Sequence, residues 1–171
     1  YSLKTQLQSI YKTHGGAPCH LSIDGTGNKL LVANYHGGNL ALFPIRTDGG
    51  LGNALQVVNH SGSGPDPKRQ TGPHAHSVHV SPNNRFVLAA DLGIDKVVVH
   101  LFDPNVGYLE PYYGAALPPG SGPRHMAFSR QHLFVLNELS ATLTRMTYDP
   151  TNFDLKADST VSTLPSDYTG R

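Results

Sequence analysis

The chain has 171 residues, a net charge of +1, and charged residues at 15% of its composition, against a usual share of about 25%. Its 18 glycines, 13 prolines and lack of tryptophan favour an all-β protein with many turns. The near-neutral charge gives no basic surface typical of nucleic-acid binding. No apolar run reaches the roughly 18 residues of a membrane span, so we expect neither nucleic acid nor a membrane as a partner.

The beginning of the chain gives little information on where the protein acts. Cys19 is the only cysteine and cannot form an internal disulfide, which fits a reducing compartment, and we expect a cytoplasmic protein. The first residue is Tyr1 rather than Met, so the lack of a targeting segment is weak evidence. The opening "LKTQLQSIYKT", residues 3–13, predicts a short helix or an edge strand.

Three copies of one unit follow. The stretch from His20 to Ile45 aligns without a gap, at an offset of 57, with the stretch from Ser77 to Phe102. A third copy begins at His125, at an offset of 48 that shortens to 46 from Asn137 onward. Self-similarity at such a period is typical of solenoids and propellers.

Each copy has the same internal order. A short alternating strand is followed by a turn, an apolar run such as "FVLAAD", a second turn, another strand and a loosely patterned outer segment. The apolar run predicts a strand buried on both faces. Three or four antiparallel strands in about 50 residues predict a β-propeller blade. A β-sandwich is the alternative. We predict a single propeller domain with units at about 16–71, 72–121 and 122–171.

A propeller closes as a ring of about four to eight blades. Three blades alone would leave two apolar faces uncovered, more than a monomer usually exposes. The chain is therefore expected either to be a piece of a longer protein or to assemble into a ring with other copies. We favour a piece of a longer protein.

The repeat predicts where side chains converge, because equivalent corners of successive blades face one central channel. The Gly-Pro pairs of "GPHAHS" and "GPRHMAF" mark the entry to the first strand of two blades. The end of each buried run carries Asn34, Asp91 or Asn137, for which we predict turn-capping roles. Just inside the strand entry, Cys19, His76 and Arg124 share one position, and His20, Ser77 and His125 share the next.

Glu138 follows the buried run of the third unit, where Tyr35 and Leu92 stand in the other two. The repeat therefore does not require its carboxylate. His74 and His76 fall on one face of an extended segment, but a third ligand nearby is missing, so no metal is expected. Lys68 and Arg69 are interpreted as solvated loop charges rather than as substrate contacts.

Structural roles compete with functional ones at each candidate. Arg124 could form a rim ion pair, His76 could bond a neighbouring loop, and Glu138 could be a solvated turn residue. A recurring histidine beside the strand entry, as at His20 and His125, is typical of a backbone contact.

The motifs "GPHAHS", "GPRHMAF" and "NEL", in that order and at those separations, together with "SPNNRFVLAAD", resemble the lactonase family of seven-bladed β-propellers. Its members are described as 6-phosphogluconolactonases and carboxy-cis,cis-muconate cyclases. The resemblance covers about Pro18 to Gly170 and implies a chain roughly twice as long. It implies catalytic roles for His76, Arg124 and Glu138.

The chemistry expected of these residues is lactone hydrolysis. His76 would activate water, Arg124 would hold an anionic group or the oxyanion, and Glu138 would orient His76 or move a proton. A small anionic lactone or a related sugar acid is the expected partner, and no cofactor is expected. A muconate lactonising enzyme and a non-catalytic binding platform remain alternatives. Substrate-binding roles are predicted for His74, His125, Cys19 and His20.

Overall fold

The computed structural model describes residues 7–170. They form three four-stranded antiparallel sheets, blades 1 to 3, each of strands paired in chain order. Nothing in this range is a helix long and apolar enough to cross a membrane. Blade 1 contains β1 (Pro18–Ile23), β2 (Lys29–Asn34), β3 (Asn39–Pro44) and β4 (Gln56–Asn59); blade 2 contains β5 (Ala75–Val80), β6 (Phe86–Asp91), β7 (Lys96–Asp103) and β8 (Tyr108–Ala116); blade 3 contains β9 (Pro123–Ser129), β10 (His132–Asn137), β11 (Thr142–Tyr148) and β12 (Leu155–Ser162).

The three sheets confirm the predicted all-β propeller blades. The first strands begin at Pro18, Ala75 and Pro123, which repeats the offsets found in the sequence. β1 packs against β5, and β5 packs against β9, so the first strands of successive blades approach one another. Each sheet falls within one predicted unit. The sandwich alternative is wrong because each sheet is complete in four consecutive strands.

The opening segment differs from its prediction. Residues 7–13 are neither helix nor strand, and residues 3–6 of the predicted element lie outside the described range. Tyr11 instead packs against the outer face of blade 1, beside Val32, Ala41 and Phe43. This contact covers part of a sheet face without adding a strand to it.

The turn-capping residues are buried and hydrogen bonded. Asp91 accepts a bond of 3.0 Å from the N–H of Gly93 in its own turn. Asn34 donates to Asn39 Oδ1 at 2.8 Å, across the hairpin that it ends. Asn137 likewise donates to two threonines of the partner strand β11. A buried polar side chain thus closes the β2–β3, β6–β7 and β10–β11 hairpins in every blade.

Alternate side chains of β6 enter two separate cores. Phe86, Leu88 and Ala90 pack against blade 3, whereas Val87 and Ala89 pack against blade 1. The prediction of a strand buried on both faces is therefore confirmed for β6. The partners from blade 3 include Met126, Leu133, Val135, Met146 and Phe153, and those from blade 1 include Leu31, Ala33, Leu40 and Leu42.

Blade 3 shows the uncovered face that three blades were expected to leave. Leu136 pairs with Leu143, and Leu143 pairs with Val161, on the side opposite the core residue Val135. Leu136 is 37% exposed and Val161 is 58% exposed. This apolar row lies where a following blade would pack in a closed ring.

His100 on β7 provides a test of the packing between blades. It is 2% exposed, both of its ring nitrogens lack a hydrogen-bond partner within residues 7–170, and its ring stacks on His60 at 5.7 Å. Burial, and then His60, lower its pKa from 6.5 to about 4. Between these values the unfolded chain binds a proton that the native state does not, so acid destabilises the fold.

We expect His100→Phe to stabilise the protein by about 1 kcal/mol at pH 7, because it keeps the stacking and removes two unpaired buried nitrogens. The gain should grow at pH 5, because the variant lacks the proton uptake of His100 on unfolding. Urea unfolding at both pH values measures this difference. An equal change in the free energy of unfolding at pH 7 and pH 5 would contradict the conclusion that His100 is a neutral imidazole in the native state.

Candidate active site

The entries of the first strands bring the candidate residues to one rim. His76 lies on β5 and Arg124 on β9, and these two strands pack together. Gly122 precedes β9 with a φ of 62°, and a Cβ there would come within 2.4 Å of the Leu139 side chain. Only glycine fits both conditions, which explains why the Gly-Pro entry cannot take a larger residue here.

Glu138 is held by two arginines. Its Oε1 accepts a bond of 2.7 Å from Arg69 Nη2, and its Oε2 accepts a bond from Arg124 Nη1. Its backbone N–H donates to Gly122 O at 2.8 Å, which ties the residue to the entry of β9. Burial acts to raise the pKa of the Glu138 carboxyl, but the bonds from Arg69 and Arg124 outweigh it and lower the pKa below its ordinary value. The carboxylate is therefore ionised at neutral pH.

His76 is a neutral imidazole in a confined position. It is 8% exposed, and its Nδ1 is buried without a partner among the described residues. Its ring meets the His125 ring edge-on at 5.2 Å and the Tyr35 ring edge-on at 5.5 Å. Burial first, and then the charge of Arg124, lower the pKa of His76 from 6.5 to about 4.

His76 and Glu138 are not joined by a hydrogen bond within the described residues. The two groups still influence one another, because the Glu138 charge partly offsets the lowering of the His76 pKa. In this structure, Glu138 orients the two arginines rather than the imidazole.

The interpretation of Arg69 as a solvated loop charge is wrong, because its guanidinium forms an ion pair with Glu138. In addition to its bond to Glu138, its Nη2 lies 3.3 Å from the hydroxyl of Tyr35. These hydrogen bonds, to Tyr35 first and then to Glu138, raise the pKa of its guanidinium, so it stays charged. The repeat alignment contained one indication of the bonds from Arg69 to Tyr35 and Glu138. Tyr35 occupies in blade 1 the position that Glu138 occupies in blade 3.

A buried polar cluster positions the loop that carries Arg69. Gln70 is fully buried, and its Nε2 donates to Leu92 O and to Asp95 Oδ1, both at 2.8 Å. Asp95 also accepts the N–H groups of Gly120 at 2.7 Å and Gly122 at 2.8 Å. One carboxylate thus connects the loop before β5 to the loop before β9.

The predicted substrate-binding histidines of the rim lie beside His76. His74 stacks on Tyr35 with ring centroids 4.6 Å apart, and its Nδ1 lies 3.0 Å from Tyr35 O. His125 contacts the His76 ring and lies 6.1 Å from the His20 ring. Both therefore line the same rim as His76.

Cys19 and His20 contact the backbone of blade 2. The thiol of Cys19 donates to His76 O at 3.2 Å, and burial raises its pKa. His20 Nδ1 accepts the N–H of Val78 at 3.3 Å, so this nitrogen carries no proton. Burial, and then His125, lower the pKa of His20. The contacts observed for this pair join two neighbouring first strands.

Candidate metal ligands do not converge anywhere in residues 7–170, where no group of three or more His, Cys, Asp or Glu side chains could hold a metal ion. The polar groups that do converge are an imidazole, two guanidiniums and a carboxylate. Such a set can accept a proton, hold an anion and stabilise developing negative charge.

The three blades belong to a known class of β-propeller, because residues 2–171 match the family model "Lactonase, 7-bladed beta-propeller". The chain belongs to this lactonase family.

This chain is similar to two proteins named as lactonases and to one further solved structure. A 6-phosphogluconolactonase of Bacillus subtilis (strain 168) is 36% identical over 157 residues, which are 91% of this chain and 44% of that protein. The periplasmic gluconolactonase PpgL of Pseudomonas aeruginosa is 31% identical with a TM-score of 0.84, covering 94% of this chain and 46% of that one. A crystal structure from Lactobacillus plantarum is 34% identical with a TM-score of 0.83, covering 89% and 44%. The chain spans under half the length of each.

The pKa of His76 tests the electrostatics of this site. Replacing Arg124 by Gln removes a positive charge that disfavours the imidazolium, so we expect the pKa of His76 to rise from about 4 toward its ordinary value. NMR titration of the ring protons in the full-length protein measures it. Arg145→Gln serves as the control, because Arg145 pairs with Asp158 on blade 3. An unchanged pKa in Arg124→Gln would contradict the influence of the Arg124 charge on His76.

The Asp95 cluster predicts a structural effect. We expect Asp95→Ala to lower the free energy of unfolding by roughly 2–4 kcal/mol, because it leaves one side-chain amide and two backbone N–H groups unpaired. Asp95 has a φ of 53°, a conformation that asparagine tolerates. Asp95→Asn therefore keeps the backbone and one acceptor oxygen and should cost less. Urea unfolding of both variants checks the order, and equal losses would show that neither the retained amide oxygen nor the retained backbone conformation contributes to stability.

Proposed function

We propose that the full-length protein hydrolyses a sugar lactone, with 6-phosphogluconolactone as its substrate. The observation that carries this proposal is the neutral His76 imidazole at a rim where Glu138 binds two arginines. The Bacillus relative named 6-phosphogluconolactonase supports the substrate class.

His76 supplies the proton transfers. The neutral imidazole accepts a proton from water as the water oxygen bonds to the lactone carbonyl carbon. The ring C–O bond then breaks, and the imidazolium returns the proton to the departing ring oxygen, which gives a hydroxy acid. The low pKa of His76 makes it a weaker base but a stronger acid, and ring opening uses both steps.

Arg124 stabilises the charge that develops on the carbonyl oxygen. Its side chain is 40% exposed and uses Nη1 to bind Glu138, so the other donors of the guanidinium are available to an anionic oxygen. Glu138 fixes the position of this cation through its Oε2. We assign His74 and His125 to substrate contacts beside His76. Cys19 and His20 belong to the same proposal, holding the first strand of blade 1 against blade 2.

We further propose that this chain forms part of a single propeller domain. The family is seven-bladed, so four blades besides the three described here complete the ring. The exposed row of Leu136, Leu143 and Val161 on blade 3 supports this arrangement, because a following blade would cover it. We place the reaction in the cytoplasm, within carbohydrate metabolism and the pentose phosphate pathway.

The test is hydrolysis of 6-phosphogluconolactone by the full-length protein, measured against the spontaneous reaction. We expect His76→Ala and Arg124→Ala each to lower kcat/KM more than tenfold, as removal of a general base or an oxyanion contact usually does. A muconate substrate assayed in parallel separates the hydrolase from a lactonising enzyme.

Arg145→Ala is the matched control for charge, because Arg145 forms an exposed ion pair with Asp158 outside the rim. Wild-type rates in His76→Ala and Arg124→Ala would reject the site. A full-length protein that turns over only the muconate substrate would replace the hydrolase by the cyclase. A protein that turns over neither would favour a binding platform.

A further inference from the structure

Arg69 and Arg124 hold the two oxygens of Glu138 from different blades. Arg124 belongs to β9 of blade 3, whereas Arg69 belongs to the loop between blades 1 and 2. Their side chains are 42% and 40% exposed, and that of Glu138 is 24% exposed. Two permanent positive charges share one negative charge, so the cluster is net cationic and open to solvent.

The two arginines differ in what surrounds them. After burial, the charge of Arg124 is the largest cause of the lowered pKa of His76, and Arg124 lies on β9, which packs against the strand of His76. Arg69 instead binds Glu138 and the hydroxyl of Tyr35. The two guanidiniums therefore bind different oxygens of the Glu138 carboxylate, Arg69 at Oε1 and Arg124 at Oε2.

The loop that carries Arg69 is built to hold it there. Asp66 Oδ1 accepts the backbone N–H of Arg69 at 3.0 Å, and the adjacent Gln70 is locked by Leu92 O and Asp95. An arginine held by its backbone on both sides loses little conformational entropy when it binds an anion. The two donating nitrogens of a guanidinium also match the oxygens of a phosphate.

We propose that Arg69 is the specificity-determining residue that selects a phosphorylated lactone over a neutral one, by binding the phosphate remote from the reacting carbonyl. This inference rests on the proposed lactone hydrolysis for the identity of the substrate. Arg124 binds the carbonyl end of the substrate. Glu138 holds the two guanidiniums at a separation that lets one substrate bind both.

The test compares two product acids that differ in the phosphate alone. Calorimetry measures the binding of 6-phosphogluconate and of gluconate to the full-length wild type, Arg69→Gln and Lys68→Gln. Lys68 is the matched control, because it is an exposed cation in the same loop. We expect Arg69→Gln to weaken 6-phosphogluconate about tenfold or more, the loss typical of one charged phosphate contact. Gluconate should change less than about twofold, and Lys68→Gln should change neither acid by more than this.

Turnover of 6-phosphogluconolactone is measured separately, so the two proposals fail in different ways. A wild type that binds 6-phosphogluconate through Arg69 without hydrolysing the lactone rejects the activity and keeps the phosphate site. Equal losses for both acids in Arg69→Gln, or no loss for either, overturn the phosphate site. A lower kcat with unchanged binding also overturns it, and assigns Arg69 to positioning Glu138. Circular dichroism of each variant shows that its fold is intact.

Discussion

The buried Asp95 carboxylate is the interaction on which the geometry of the rim depends. It binds the side-chain amide of Gln70 and the backbone amides of Gly120 and Gly122. Gln70 follows Arg69 directly, and Gly122 accepts the N–H of Glu138. The positions of both arginines relative to Glu138 are therefore set by one polar group that touches none of them. A site assembled from separate blades needs such a link, because packing between sheets alone leaves their loops free.

The repeat made the blades predictable because it records the same strands three times. The offsets between units located the strand entries, the buried runs and the hairpin corners at Asn34, Asp91 and Asn137. The opening segment could not be predicted in the same way, since it has no counterpart elsewhere in the chain. Its Tyr11 contact depends on the outer face of blade 1, which exists only after folding.

The candidate site was predictable to a similar extent. His76, Arg124 and Glu138 were found from the repeat and the motifs, and the structure brings Arg124 and Glu138 into contact beside His76. Arg69 was not predicted as a site residue, because its loop between blades 1 and 2 has no repeated counterpart and loop charges are usually solvated. The low pKa of His76 also escaped, since its causes are burial between blades and the nearby Arg124 and His125, none of which a local sequence pattern contains.

The alternation of buried side chains along β6 limits the substitutions that this strand can accept. Each even-numbered apolar side chain of the strand belongs to one neighbouring sheet and each odd-numbered one to the other, and all are almost fully buried. An enlarged side chain at Leu88 must be accommodated by a smaller one in blade 3, and one at Ala89 by blade 1. β6 therefore has no face on which substitutions accumulate independently, and sequence drift in this strand has to proceed in matched pairs across a blade boundary.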